Sequence, residues 1–551
     1  MKKCKQCEID FEIRDQDIVF YDKISPIFDG QKCLIPEPKL CPKCREQRRL
    51  AYRNERTLYK RKSSLSNKDI ISVFSPDSKY KIYTSEEWWS DFWDPLAMGR
   101  DFDFSRGFFD QFYELELEVP RPPLINNKAE NSDFCNFADG NKNSYLVTSA
   151  NWNQDCYYGF LMVKCRNSAD CIWCTDCELV YECLDCINCY NLKYSQYCEN
   201  CSESAFLYNC KGLTNCMFCI NLNNKKYCIF NKEHTKEDYE KAVKYMHGSY
   251  AKYQEMIQKF ADFKRAFPIR KANNFIGCQD CVGDNIFHSK NVYMGFDIYN
   301  SKDSAYLHDG LKGSDCYDVC FFDGVELCYE STSLIGYGYR FTNFCRDSYN
   351  LFYCDNCHSC KNCFGCVGLR RKEFCVFNKQ YSEPEYNALV VRIIKKMEET
   401  GEFGEFFPAK YSPFAYNETL AHDYYPLKKD QAVVQGFRYV EPKKSDYMPQ
   451  KVVLLDNINE VSDSICNELL ACSVTGKNYK IIPQELSFYK KLGLPLPRKC
   501  FDQRNFERVA LRNSHMLYDR KCDKCGALVK TTYARNRPPK IYCEKCYLGT
   551  V

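Results

Sequence analysis

The chain has little of what marks most enzymes and membrane proteins at the sequence level. Its 551 residues include only seven histidines, and no run is long and apolar enough to span a bilayer. The first residues, MKKCKQCEIDFEIRD, lack the apolar core of a signal peptide. The net charge is only +4, so no whole-chain field favours nucleic acid or a membrane surface. We therefore expect a cytoplasmic protein without a membrane partner.

Signatures of catalysis are also missing. The sequence has no GxxxxGK[ST] phosphate loop, no GxGxxG fingerprint, no HExxH pair and no GxSxG nucleophile elbow. His234 and His358 have no convincing partner in sequence, and such histidines are more often structural than catalytic. These absences predict a protein that is not an enzyme.

Cysteine, in contrast, is abundant. The chain has 39 cysteines, an odd number that cannot pair completely into disulfides within one chain. In a reducing cytoplasm, dense cysteine indicates metal ligands or small buried apolar residues.

Each end of the chain carries two C-x-x-C pairs. Two such pairs supply the four thiolates of a tetrahedral zinc site, since each tight turn presents two ligands. The predicted ligands are, at the N-terminal end, Cys4, Cys7, Cys41 and Cys44, and at the C-terminal end, Cys522, Cys525, Cys543 and Cys546.

The two ends are related copies of one module. CPKCREQRRLAYRNERTLYKRK, from Cys41, aligns with CFDQRNFERVALRNSHMLYDRK, from Cys500, at a shift of 459 residues. Each copy lacks a complete second site. The substituted sets are Ser63, Ser66, Thr84 and Glu87 in the first copy, and Cys472, Thr475, Cys500 and Gln503 in the second. The sequence therefore predicts two zinc ions at the ends rather than four.

The stretch CKQCEIDFEI, followed by FY and then by LCPKCREQRR, resembles the zinc-ribbon (treble-clef) domain family. The resemblance covers roughly the first fifty residues and the degenerate copy from Cys472 to Arg504. The rest of the chain is similar to uncharacterised cysteine-rich bacterial proteins that carry this domain. The resemblance implies a zinc-dependent fold and no established activity.

Arginines follow the second cysteine pair at helical spacing. Ten basic and two acidic residues lie between Lys39 and Lys62. One interpretation is a contact surface for the phosphates of RNA, DNA or a ribonucleoprotein. The other is a solvated helix face, or salt bridges to the acidic segment 85–119. The candidate residues are Arg45, Arg48, Arg49, Arg53, Arg504, Arg508 and Arg512.

A three-residue rhythm dominates the middle of the chain. All fifteen cysteines from Cys135 to Cys228 occupy positions divisible by three, and a column spaced by fifteen runs from Cys156 to Cys216. Fixed spacing with small or apolar residues inward is typical of a solenoid, here a β-solenoid with 15-residue coils. A related block follows: CMFCINLNNKKYC, from Cys216, aligns with CFGCVGLRRKEFC, from Cys363.

The repeated thiols allow three interpretations. They are packed core residues, ligands of additional zinc or iron–sulfur, or disulfides. The tightest runs are DCIWCTDCELVYECLDCINC and CHSCKNCFGC. Frequent replacement of cysteine by leucine or valine in one column favours the packed core.

The predicted fold is multidomain α+β: two treble-clef/zinc-ribbon modules flank two cysteine-rich β-solenoid-like blocks with helical caps. The acidic aromatic connector is expected to cover the open end of the first block. The predicted function is a non-enzymatic zinc-binding scaffold that binds nucleic acid or a ribonucleoprotein. Metal or redox handling by the repeated thiols, or protein binding alone, are the alternatives. The expected boundaries are a zinc module at 1–90, a connector at 91–125, repeats at 126–232, a cap at 233–272, repeats at 273–380, a cap at 381–400, a connector at 401–465 and a zinc module at 466–551.

Overall fold

The computed structural model describes residues 1–270, 275–441, 447–536 and 540–550. In that part of the chain the fold is mixed α/β, with 12 α-helices and two eight-stranded sheets among several small hairpins. Within the same residues, no helix combines the length and apolar character that crossing a bilayer requires.

The first ninety residues form three antiparallel hairpins, each of two short strands, and three helices. The hairpins pair β1 with β2, β3 with β4 and β5 with β6. A longer helix, α4, lies in the connector. The elements are β1 (Lys2–Lys3), β2 (Asp10–Phe11), α1 (Asp15–Ile24), β3 (Ile27–Phe28), β4 (Gln31–Lys32), α2 (Pro42–Leu50), β5 (Tyr59–Lys62), β6 (Asp69–Ser72), α3 (Ser85–Trp89) and α4 (Phe108–Glu118).

Residues 126–233 form a pile of short parallel strands, which we call stack one. Its elements are β7 (Asn126–Asn127), β8 (Ala138–Asp139), β9 (Gln154–Tyr157), β10 (Arg166–Ala169), β11 (Ile172–Thr175), β12 (Leu184–Ile187), β13 (Tyr190–Lys193), β14 (Gln196–Glu199), β15 (Ser202–Tyr208), β16 (Met217–Ile220), β17 (Cys228–Ile229) and β18 (Lys232–Glu233). Only the last pair, β17 and β18, is antiparallel in this stack.

The parallel partners in stack one lie twelve residues apart. Cys174 pairs with Cys186, and Cys186 pairs in turn with Cys198. The expected 15-residue coil is therefore wrong. Twelve and fifteen are both multiples of three, and cysteine occupies many of the positions in the three-residue series. The spacing of the cysteines therefore does not distinguish a twelve-residue coil from a fifteen-residue coil.

A left-handed residue at every third position explains the triplet rhythm. Asp155, Tyr158 and Leu161 have φ of 53°, 57° and 55°, and this series continues through the stack. A twelve-residue period with a turn every three residues gives four triplets per coil. The residue after each left-handed turn is the inward one, as for Cys156 and Cys171, both fully buried. Asp and Asn tolerate this conformation best, which accounts for their place before so many cysteines.

Two helices follow stack one, and a second pile, stack two, covers residues 275–380. The elements are α5 (Lys236–Met246), α6 (Tyr250–Arg265), β19 (Ile269–Arg270), β20 (Phe275–Ile276), β21 (Val282–Phe287), β22 (Lys290–Tyr299), β23 (Lys302–Arg340), β24 (Arg346–Phe352), β25 (Lys361–Phe364), β26 (Cys375–Val376) and β27 (Lys379–Gln380). A straight β23 would be roughly 130 Å long. Left-handed residues at three-residue steps, such as Asp303 and Tyr306, fold it into coils instead.

A side chain caps the first turn of the helix that follows each stack. Thr235 accepts the amide hydrogen of Asp238 at the start of α5, and Ser382 forms a capping box with Glu385 at the start of α7. Phe260 of α6 contacts Phe206 and Phe218 of stack one, with ring centroids 5.9 and 6.2 Å apart.

The remaining elements belong to the C-terminal third. They are α7 (Glu383–Thr400), α8 (Leu420–Tyr424), α9 (Lys429–Val434), β28 (Leu470–Ala471), β29 (Asn478–Tyr479), α10 (Pro483–Leu492), α11 (Phe501–Val509), β30 (Tyr518–Lys521), β31 (Leu528–Thr531), β32 (Ile541–Tyr542) and α12 (Glu544–Leu548). β28 pairs with β29 and β30 with β31, and both pairs are antiparallel like the N-terminal hairpins.

The aromatic connector lies on stack two, so the expectation that it covers the first block is wrong. Phe108 of α4 contacts Tyr353, Phe364 and Phe377, with ring centroids 5.1 to 5.7 Å apart. Helix α2 of the N-terminal module also lies against β23 of stack two. The connector therefore packs on the same stack as helix α2 of the N-terminal module.

Candidate metal centres and arginine clamps

Four hairpins, two at each end of the chain, share one backbone design. In the first, the Cys4 amide donates to the Ile9 carbonyl and the Glu8 amide donates to the Cys4 carbonyl, both at 3.0 Å. The same two bonds recur in the hairpins that begin at Ser63, Cys472 and Cys522. The fifth residue of each hairpin is left-handed, and these residues are Glu8, Asn67, Gly476 and Gly526.

The third ligand position of each set is the N-cap of a helix. Cys41 precedes α2, Thr84 precedes α3, Cys500 precedes α11 and Cys543 precedes α12. A helix N-terminus carries partial positive charge and lowers the cost of a thiolate there. The duplication read from the sequence thus extends to hairpin, turn and helix.

The eight predicted zinc ligands come together in two groups. In each group, the four cysteine sulfurs all lie within 4.8 Å of one another. The Cys7 and Cys41 sulfurs are 3.6 Å apart, and those of Cys525 and Cys543 are 3.7 Å apart. A tetrahedron with 2.3 Å zinc–sulfur bonds has an edge of about 3.8 Å. Both groups therefore have the spacing that a zinc ion requires.

Backbone amides support both sulfur groups. The Cys41 amide donates to the Cys4 sulfur, and the Cys543 amide donates to the Cys522 sulfur, each at 3.3 Å. Such bonds stabilise the negative charge of a metal-bound thiolate and orient it.

The degenerate sets hold themselves together without thiolate clusters. In the first copy, the Ser63 hydroxyl donates to the Glu87 carboxylate at 2.6 Å, and the Thr84 amide donates to the same carboxylate at 2.9 Å. In the second copy, Thr475 lies 3.9 Å from the Cys500 sulfur. These contacts link the degenerate sets at the positions where the complete sets have cysteines.

The thiols of the stacks form apolar cores. The core of stack one includes every cysteine from Cys135 to Cys228, each at most 2% exposed. Among the described residues, only three groups of His, Cys, Asp or Glu approach one another closely enough to hold a metal, and none includes a stack cysteine. Burial raises the pKa of Cys135 and of Cys210 to about 12, so both stay protonated at neutral pH. The geometry favours the packed-thiol interpretation.

The seven arginines of the proposed basic stripe are buried. Arg45 and Arg49 are 2% and 1% exposed, and the least buried, Arg48, is 9% exposed. The stripe is therefore not a free cationic surface in this structure. The full set is Arg45, Arg48, Arg49, Arg53, Arg504, Arg508 and Arg512.

On helix α2 the guanidinium groups contact two carboxylates of β23 that lie twelve residues apart. Arg45 contacts Asp318 at 2.9 Å, and Arg49 contacts Glu330 at 2.8 Å. Arg48 contacts Glu330 as well, at 3.1 Å. We call this arrangement the α2 clamp. It lies on stack two.

Helix α11 makes the equivalent arrangement on stack one, which we call the α11 clamp. Arg504 contacts Asp170 at 2.7 Å, and Arg508 contacts Asp170 and Glu182 at 2.6 and 2.9 Å. Asp170 and Glu182 are again twelve residues apart. Each clamp thus joins one end of the chain to the stack that is further from that end in sequence.

Past each helix a further arginine reaches the stacks. Arg53 donates to Ser149 of stack one and to Ser333 of stack two. Arg512 contacts Asp297 and Asp309 of stack two at 2.5 and 3.4 Å. No arginine of the stripe projects away from the protein.

A third ligand group was not foreseen from the sequence. Glu46, His308 and His515 are all buried, and one ligand atom of each lies within 4.8 Å of the others. The His515 Nδ1 is 2.7 Å and the His308 Nε2 is 3.5 Å from the same Glu46 oxygen. Burial acts to lower the pKa of both histidines, but the Glu46 carboxylate opposes it and the pKa of each is raised. Their separation in sequence, from 46 to 515, hides the group from motif searches.

Comparison with protein-family models and with curated proteins finds no match for this chain.

Proposed function

We propose that the protein is a non-enzymatic, zinc-stabilised scaffold for a protein partner. In this proposal two zinc-ribbon modules of treble-clef type hold two β-solenoids together. The observation that carries it is the inward direction of the arginines: the helices that follow the cysteine pairs serve to clamp the stacks.

The hairpin and helix geometry supports the treble-clef assignment. Each complete module has one cysteine pair in a hairpin and a second pair at the start of a helix. A structural zinc ion at such a site contributes directly to folding.

The parallel pairing at twelve-residue steps supports the β-solenoid assignment for both stacks. Most pairs of stack two keep this step, but β20 pairs with β21 eleven residues apart, and the step changes from eleven to twelve at Val282/Gly283 and at Ile335/Gly336. Solenoids expose long flanks that bind other proteins. The flank of stack one has exposed aromatic side chains at Trp152 and Tyr190.

Nucleic-acid binding is the competing proposal, and fluorescence anisotropy can separate the two. A phosphate-binding stripe predicts affinity for RNA or DNA that falls steeply between roughly 50 and 200 mM salt. The scaffold proposal predicts no such affinity for labelled single-stranded RNA or duplex DNA. Tight, salt-steep binding would reject it.

The zinc part of the proposal is tested by elemental analysis of single-cysteine variants. We expect Cys41→Ser and Cys543→Ser to lose one zinc ion each, with a lower melting temperature. Cys472→Ser is the matched control, since its set lacks two of four thiolates, and it should lose none.

A further inference from the structure

We propose that Glu46, His308 and His515 form a third metal site, which binds a divalent transition metal ion such as zinc. This site is independent of the two four-cysteine groups and of the scaffold proposal. Two imidazoles and one carboxylate are a donor set that suits zinc, cobalt or ferrous iron.

The ligand atoms converge from three remote parts of the chain. Glu46 lies on α2, His308 on β23 and His515 beyond the end of α11. The His308 and His515 side chains are 1% and 2% exposed, and their ring centroids are 4.9 Å apart. A metal ion here would join the N-terminal module, stack two and the C-terminal module at one point.

His308 has a carboxylate hydrogen-bonded behind the ring, as metal-bound histidines usually do. His308 Nδ1 lies 3.1 Å from Asp309 Oδ2, which leaves its Nε2 directed toward Glu46. His515 Nε2 lies 3.7 Å from Asp297 Oδ2, while its Nδ1 faces Glu46. The Asp309 carboxylate would fix the tautomer of the His308 imidazole and increase its basicity as a ligand.

An unsatisfied polar atom provides a second observation. His308 Nε2, which is directed toward Glu46, is buried without a hydrogen-bond partner. Leaving such an atom unpaired is costly, so a native structure usually supplies a partner. For His308 Nε2, a metal ion bound to Glu46 would be that partner.

The internal duplication provides a comparison site. The module shift of 459 residues places Asn505 opposite Glu46 and Arg56 opposite His515. The clamp carboxylates relate the stacks by 148 residues, which places Phe160 opposite His308. These residues cannot form a metal site. As with the cysteine sets, one copy keeps the ligands and the other has lost them.

The test is the zinc content of the full-length protein after saturation with zinc and removal of the excess. We expect three ions per chain, and two for Glu46→Gln. His358→Gln is the matched control, because His358 is a largely enclosed histidine outside the group, and it should keep three. Asp309→Asn should weaken the third site by about 10- to 100-fold. Two ions in the wild type, or three in Glu46→Gln, would overturn the proposal.

Cadmium-113 NMR of the wild-type protein gives a readout that does not depend on folding of a variant. Thiolate-bound cadmium resonates far downfield of cadmium bound to nitrogen and oxygen. We expect two thiolate signals and a third signal in the nitrogen–oxygen region. Absence of the third signal at saturating cadmium would also overturn the proposal.

Discussion

Replacing Asp170 by asparagine should destabilise the protein more than any exposed charge substitution. Asp170 is fully buried in stack one and contacts Arg504 and Arg508 of the α11 clamp at 2.7 and 2.6 Å. Asparagine keeps the size of the side chain but removes its charge. Both guanidinium groups would then remain buried beside a neutral amide.

The expected loss follows from the remaining contacts. Breaking a buried ion pair from one side typically costs about 3–5 kcal/mol. Arg508 would still contact Glu182 at 2.9 Å, and Arg504 would still donate to the Tyr489 hydroxyl at 3.0 Å. Because both arginines keep a partner, we expect a loss near the lower end, about 3 kcal/mol.

The assay is urea unfolding at fixed zinc concentration, followed by tryptophan fluorescence and by amide hydrogen exchange in stack one. Glu130→Gln is the matched control, since Glu130 pairs with Lys142 at 2.7 Å on the same stack but both side chains are exposed. An exposed pair contributes at most about 1 kcal/mol. If the two variants shift the midpoint equally, the clamp does not hold the α11 helix on the stack.

Two further predictions concern groups inside stack one and stack two. Iodoacetamide at pH 8 should leave Cys135 and Cys210 unmodified in the native protein, because burial raises the pKa of each thiol to about 12. Peptide mass spectrometry measures the modification. Early alkylation of either cysteine would contradict the packed core. Burial, with Arg346 and Arg370 nearby, lowers the pKa of His358 to about 3, so between pH 6.5 and 3 only the unfolded chain takes up this proton. The free energy of unfolding should therefore fall as pH decreases through that window. The fall should be steeper in the wild type than in His358→Gln, by at most about 1.4 kcal/mol per pH unit. Equal slopes for the two proteins would reject the lowered pKa of His358.

The local parts of the fold could be predicted from the sequence because their signals are short in range. The cysteine pairs at Cys4 and Cys522 fix hairpins within a few residues, and Thr235 and Ser382 cap helices through residues only three positions away. The triplet spacing correctly placed the cysteines of the first block inside. In each case the residues that determine the structure are neighbours along the chain.

The errors arose where distant residues determine the outcome. The coil length depends on which triplets pair between neighbouring coils, and a three-residue period is compatible with coils of both twelve and fifteen residues. The arginine stripe gave no sign of its partners, because Arg45 and Asp318 are 273 residues apart. The charged residues of α2 predict a solvent-exposed helix face unless their partner carboxylates on stack two are known.

The crossed clamps indicate why metal sites at the chain ends would be useful. Arg504 reaches Asp170 across 334 residues, and such a contact forms only after a large loss of chain entropy. The four-cysteine sites, in contrast, each close within 41 residues or fewer, and each ends in a helix. Zinc binding at the N-terminal site would fix α2 before that helix docks, so that its three arginines meet the two carboxylates of stack two as one preformed surface. The entropy of ordering the helix is then offset by the metal, and the long-range contact has only to align two rigid parts.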